Sequence, residues 1–183
     1  MRLRTVSTFL LFALTAVSAQ GADTIDAALQ AKIDKAKQDA ITWAADPAVV
    51  SAVKDANANP PADAKAMTQD KWKALLITDP FVRGFSKNAA ATFLKSKKSD
   101  TVSEAFLSAA DGSKVAFLSK TTNWSHAGKP KHDDPMAGKT WQGAIEVDES
   151  TGVQQLQIAV PVKDGDKPIG SLVVGLNITK LKE

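Results

Sequence analysis

Between Asp23 and Ala45 the apolar residues Leu29, Ile33, Ala36, Ala40 and Trp43 recur at steps of four, three, four and three, while Lys32, Asp34, Lys35 and Lys37 occupy the other faces. That spacing predicts one amphipathic helix of about six turns. Asp46-Pro47 ends it, because proline disfavours helical geometry in the residue before it, yet suits the first turn of a new helix. A second, shorter helix is expected in DPAVVSAVKDAN, and ANPPADAKA, with Pro60 and Pro61, reads as a loop. Thr68 can cap a helix over QDKWKALLI, and TDPFVRGFSKNAAATFLKS repeats the Asp-Pro restart at Asp79 and Pro80. The first half is therefore helical.

The period then changes. VSEAFLSAADGSKVAFLSK is a pair of apolar runs around Asp111-Gly112, a dipeptide that favours a tight hairpin turn. After the polar stretch from Thr121 to Thr140, three more strands are expected in WQGAIEV, VQQLQIAVPV and PIGSLVVGL, joined by the turn-rich DESTG and KDGDK. Along the fourth strand Leu156, Ile158, Val160 and Val162 share one face, and Gln155, Gln157 and Ala159 the other. The apolar face needs a cover, and the long helix is the natural one. The expected class is α+β: a five-stranded antiparallel sheet covered by a long N-terminal helix and further helices.

This order of elements resembles the Cache family of extracytoplasmic sensor domains, whose fold is PAS-like. The resemblance is carried by Asp111-Gly112, DESTG from Asp148 to Gly152, QIAVPV from Gln157 to Val162, and PIGSLVVG from Pro168 to Gly175, and it covers residues 24–182. It implies a non-enzymatic domain that binds a small polar molecule, such as an amino acid, an amine or a carboxylate, between the sheet and the long loop. A separate membrane receptor or kinase is the partner such a sensor would address. It implies no cofactor.

Composition adds a compartment. MRLRTVSTFLLFALTAVSA places Arg2 and Arg4 before an apolar run and small residues after it, the pattern of a cleaved bacterial signal peptide at residues 1–19. That run is shorter than the roughly 20 residues a membrane-spanning helix needs. The mature chain is thus expected to be periplasmic or secreted, with no membrane span. Of 23 basic residues, loss of those two leaves 21 against 20 acidic ones, so no nucleic-acid surface is indicated. The absence of cysteine excludes disulfides, a lipid-anchored cysteine and a thiol nucleophile.

Trp43 and Trp72 stand at core-like helical spacing, whereas Trp124 and Trp141 bracket the long loop. These two are candidate apolar walls of a ligand pocket, with His126, Lys129 and Gln142 as polar neighbours, or else they pin the loop to the sheet. Glu146, Gln155 and Gln157 either project towards the pocket or are solvated. Asp148 is a turn-forming aspartate by its context, and the resemblance implies an acidic contact for a ligand ammonium. The candidate binding set is Trp124, His126, Trp141, Glu146, Asp148 and Gln157. His126, His132, Asp133 and Asp134 fit none of the usual zinc spacings, so no metal is expected. The chain also lacks Gly-x-Ser-x-Gly, a phosphate-binding loop and His-Glu-x-x-His. Three readings compete: a ligand-binding sensor, an accessory protein of the same fold that docks on a partner receptor without a ligand, and a small exported enzyme.

Overall fold

The computed structural model describes residues 25–147 and 153–183. The expected signal peptide lies outside the described residues, as does Asp148. Helix α1 (Ala27–Ala44) is capped by Asp26, whose side chain accepts from the Leu29 amide. Both Asp-Pro restarts form as the chemistry requires: Asp46 caps α2 (Pro47–Ala58) and Asp79 caps α5 (Pro80–Lys87), each with proline in the first turn. Between them lie the short helices α3 (Ala62–Lys65) and α4 (Gln69–Ala74), the latter capped by Thr68. The loop expected over ANPPADAKA therefore contains a helical turn. The segment expected as one helix after Asp79 is two, because the Asn88 side chain accepts from the Ala91 amide and starts α6 (Ala89–Ser96).

The second half supplies β1 (Val102–Ala109), β2 (Lys114–Phe117), α7 (Pro130–Met136), β3 (Trp141–Val147), β4 (Gln154–Asp164), β5 (Lys167–Asn177) and the short α8 (Ile178–Lys182). The strands form one antiparallel sheet in the order β2-β1-β5-β4-β3. The expected α+β fold with a five-stranded antiparallel sheet is what forms. Pairing of β1 with β5 sets Phe106 opposite Val173 and Leu107 opposite Leu172, so adjacent residues alternate between two buried faces.

The back face is packed with aliphatic side chains. Leu29, Ile33 and Ala40 of α1, Val49 and Val53 of α2 and Leu94 of α6 pack against Leu156, Ile158, Val160, Val162, Leu172, Val174 and Leu176. The long helix is thus the cover that the fourth strand's apolar face required. The front face holds a separate cluster of Trp72, Val82, Phe106, Phe117, Trp124, Ala159 and Val173, with Phe81, Phe85 and Trp141 packed on it.

Candidate functional site

Strand order dictates the site. β2 forms one edge of the sheet and β3 the other, so residues 118–140 must cross the front face from edge to edge. Five strands at the usual spacing make that crossing about 19 Å. We call residues 121–140 the roof. Its first part is pinned to the aromatic cluster: the indole nitrogen of Trp72 donates to the Thr121 carbonyl at 2.7 Å, and the Trp124 amide donates to Gln69 Oε1 at 2.9 Å. The next residues dock on the β1–β2 turn. His126 N donates to the Gly112 carbonyl at 2.9 Å, and Ser125 Oγ to that of Asp111 at 3.2 Å. Gly112 has φ +80°, and a side chain there would collide with the Ala127 amide, so this one glycine serves both the turn and the close approach of the roof. Helix α7, which begins on Pro130, then lies over β5, β4 and β3.

Between roof and sheet, polar side chains from both are buried where an apolar core would be expected. Lys114 on β2 is 2% exposed, His126 3% and His132 2%. Lys114 Nζ lies 2.5 Å from His126 Nδ1 and 4.9 Å from the centre of the Phe106 ring, on which the His126 imidazole stacks at 4.7 Å. An ammonium only donates, so Nδ1 is the acceptor. His132 Nε2 approaches the Ala110 carbonyl at 3.3 Å and must carry the proton, which leaves Nδ1 to accept from the Ser171 hydroxyl at 2.8 Å. Burial, reinforced by Lys131, pushes the Lys114 ammonium down to about 7. Burial and the neighbouring Lys114 push His126 down to about 3. His132 is lowered by burial too, against the hydrogen bond to Ala110, which favours its charged form.

Further along the roof, a cleft of about 530 Å³ opens between Gly128–Lys131 and strands β3 and β4. Its floor is a chain of polar contacts. Lys131 Nζ donates to Gln157 Oε1 at 2.6 Å, Gln157 Nε2 donates to Glu104 Oε2 at 2.7 Å, and Ser103 Oγ donates to Gln155 Oε1 at 2.8 Å. Gly175, between β1 and β4, leaves the room: a Cβ there would lie 2.9 Å from the Glu104 Cβ and 3.0 Å from the Gln155 carboxamide. Trp141 and Glu146 line the β3 side. Burial lowers Lys131, opposed by the charges of Glu104 and Glu146. The cleft thus offers donors, acceptors, charges of both signs and an indole within a volume typical of small-molecule sites.

A scan against protein-family models finds no match, and neither does a search of curated protein sequences. Solved structures do match. The sensor domain of the histidine kinase DctB from V. cholerae aligns with a TM-score of 0.51 and 16% identity, over 84% of this chain and 52% of that one. The E. coli DcuS sensor domain aligns with a TM-score of 0.50 and 13% identity, over 86% and 96%. The chain has the Cache-type, PAS-like fold of extracytoplasmic sensor domains. It spans about half the length of the DctB domain and nearly all of the DcuS domain.

Within this Cache-type fold the six candidate residues separate. Trp141, Glu146 and Gln157 meet at the cleft. Trp124 does not line it: 6% exposed, its ring lies 5.2 Å from Trp72, 5.6 Å from Phe85 and 5.9 Å from Phe81, so it pins the roof. His126 is likewise turned from the roof onto Lys114 of the sheet rather than towards the cleft, and Asp148 lies outside the described residues. Of the other polar neighbours, Lys129 and Gln155 line the cleft, whereas Gln142 turns to the helix side and exchanges hydrogen bonds with Gln30. The long loop is partly helical, as α7 shows. His126 and His132 point at different partners, and no group of three or more His, Cys, Asp or Glu converges on a metal site among the described residues. Glu104, Lys114 and Lys131 went unread in the sequence. The signal for the first two was present: each is a charge within a run whose other members are largely apolar. Among the described residues no helix is long and apolar enough to cross a membrane.

Proposed function

We propose that this chain is an exported, non-enzymatic sensing domain that binds a small polar molecule in the cleft between roof and sheet. The observation that carries the reading is the row Lys131–Gln157–Glu104 on the cleft floor beside Trp141. Lys131 can receive a carboxylate, Glu104 and Glu146 an ammonium, and Gln155 and Gln157 supply neutral donors and acceptors. The indole gives the apolar wall against which a short carbon chain packs. An amino acid, an amine or a carboxylate matches that set. The fold shared with DctB and DcuS sensor domains supports sensing, and the N-terminal leader pattern supports a periplasmic location.

A thermal-shift screen of amino acids, amines and carboxylates tests this, since a ligand at a hundred times its Kd stabilises the native state by about 2.7 kcal/mol. The expected outcome is a hit whose affinity falls about tenfold in W141A and in Q157A. Hits that ignore both substitutions would move the site elsewhere.

A docking role without a ligand has one observation in its favour. Leu76 and Ile77, adjacent in the turn between α4 and α5, are 71% and 72% exposed. If this is a docking surface, L76S/I77S should abolish capture of a partner receptor while the screen stays blank.

A further inference from the structure

The two histidines of this chain both lie in the roof, six positions apart, and both bury a ring nitrogen against the sheet. We infer that the roof is a proton-operated latch, in which acidification of His126, assisted by His132, releases residues 121–140 from the sheet and opens the cleft beneath them. The release is a property of the roof contacts themselves. Only its consequence for binding rests on the ligand-site reading.

His126 is the principal member because of what it faces. Its Nδ1 is aimed at Lys114 Nζ, a group that only donates once charged, and its ring is stacked on Phe106. A proton on Nδ1 would set two donors head to head with no acceptor between them, in a place that water does not reach. Every other charge acting on His126 has the same sign: Lys131, His132 and Lys129, all from the roof itself. His132 is more tolerant. Its Nδ1 faces the Ser171 hydroxyl, which can turn from donor to acceptor, and Asp133 and Asp111 offset the effect of Lys114. Lys131 is balanced by Glu104 on β1 and Glu146 on β3 against Lys129.

The sign of the coupling follows. Lys114, His126, Lys131 and His132 are all held below their ordinary values by burial under the roof. The closed roof therefore binds fewer protons than the open one, and opening takes protons up. The contribution of His126 to closure is complete above its ordinary value of 6.5 and is lost as pH falls towards about 3. Lys114, held at about 7, charges before His126 does, so the imidazole meets an ammonium throughout that window. Among the described residues the buried titratable side chains, Lys114, His126 and His132, all lie on the front side, which directs the effect to the roof rather than to the whole fold.

Hydrogen exchange of the ligand-free chain at pH 7.5 and pH 5, corrected for intrinsic rates, tests the latch, with α1 amides as the internal reference. Protection of roof amides should fall by about tenfold or more at the lower pH while that of α1 holds. H126Q, whose carboxamide can accept from Lys114 but cannot take up a proton, should remove most of that loss, and H132Q a smaller part. Equal loss in roof and α1, or an undiminished loss in H126Q, would overturn the proposal. Should H126Q fail to fold, the imidazole resonances of the unaltered chain decide: a His126 that titrates near 6.5 while the roof stays protected would sink it, and one that stays neutral until the roof opens would support it. Because no ligand is present, failure of the latch and failure of the binding reading are separate results.

Discussion

The two faces of the sheet are made from alternate residues of the same strands, yet they are built on opposite principles. Behind, α1, α2 and α6 bury aliphatic side chains on aliphatic side chains, with Ile33, Val49, Val53 and Leu156 at 0% exposure. In front, a tight aromatic cluster gives way under the roof to a buried lysine and two buried histidines. Each valine, leucine or isoleucine buried behind contributes about 1.5–3 kcal/mol independently of pH and ligand. Each cation buried in front has its charged form penalised, and the penalty depends on pH. A fold whose back face is secure can tolerate a front face whose contacts are conditional, and the proposed sensing role would require conditional contacts.

The largest expected effect would break the back face. I33D places an unpaired carboxylate among Leu29, Ala40 and the strand aliphatics, and should destabilise the fold by about 4 kcal/mol or more in urea melts. K35A, on the exposed side of the same helix, removes only a surface ion pair with Asp39 and should cost less than about 1 kcal/mol. Equal losses would mean that α1 does not present its stripe to the sheet.

Next in size is a contrast within the front face. W124A removes a buried indole from four-way aromatic packing and should destabilise by about 3–5 kcal/mol. W141A, at a half-buried position beside the open cleft, should cost less than half of that, yet it should weaken any cleft ligand more than W124A does. Denaturation curves and ligand titrations on both variants check this. A reversed order would exchange the roles assigned to the two tryptophans.

What the sequence disclosed follows this division. The stripe on α1, the Asp-Pro caps and the strand alternation are local periodic signals, and each forms as its residues imply. Strand order is not local: pairing of β1 with β5 joins segments some seventy residues apart, and it is this order that forces the roof across the front face. Trp124 and Trp141 flank the same loop and look alike in sequence. They part only because one reaches Trp72 and Phe85 and the other ends on the far edge strand. Lys131 and Glu104 could not be paired from spacing, since their link runs through Gln157 of a third element. Asn88 split a helix through one side-chain hydrogen bond that periodicity cannot show.

The smallest expected effect sharpens the account of the front face. Ser108, on β1, is fully buried and stands opposite both Lys114 of β2 and Ser171 of β5. Among the described residues its hydroxyl is the buried side-chain polar atom with no hydrogen-bond partner. A buried hydroxyl without a partner carries a desolvation cost of about 1–3 kcal/mol, so S108A should leave stability unchanged or raise it by about 1 kcal/mol. S171A is the matched control. It takes away the donor to His132 Nδ1 and strands a buried ring nitrogen, so it should destabilise by about 1–2 kcal/mol. The pair of melts discriminates between two kinds of buried serine one strand apart. A loss in S108A as large as that in S171A would show that the Ser108 hydroxyl is engaged, and the polar cluster under the roof would then extend across β1 from Lys114 to Ser171.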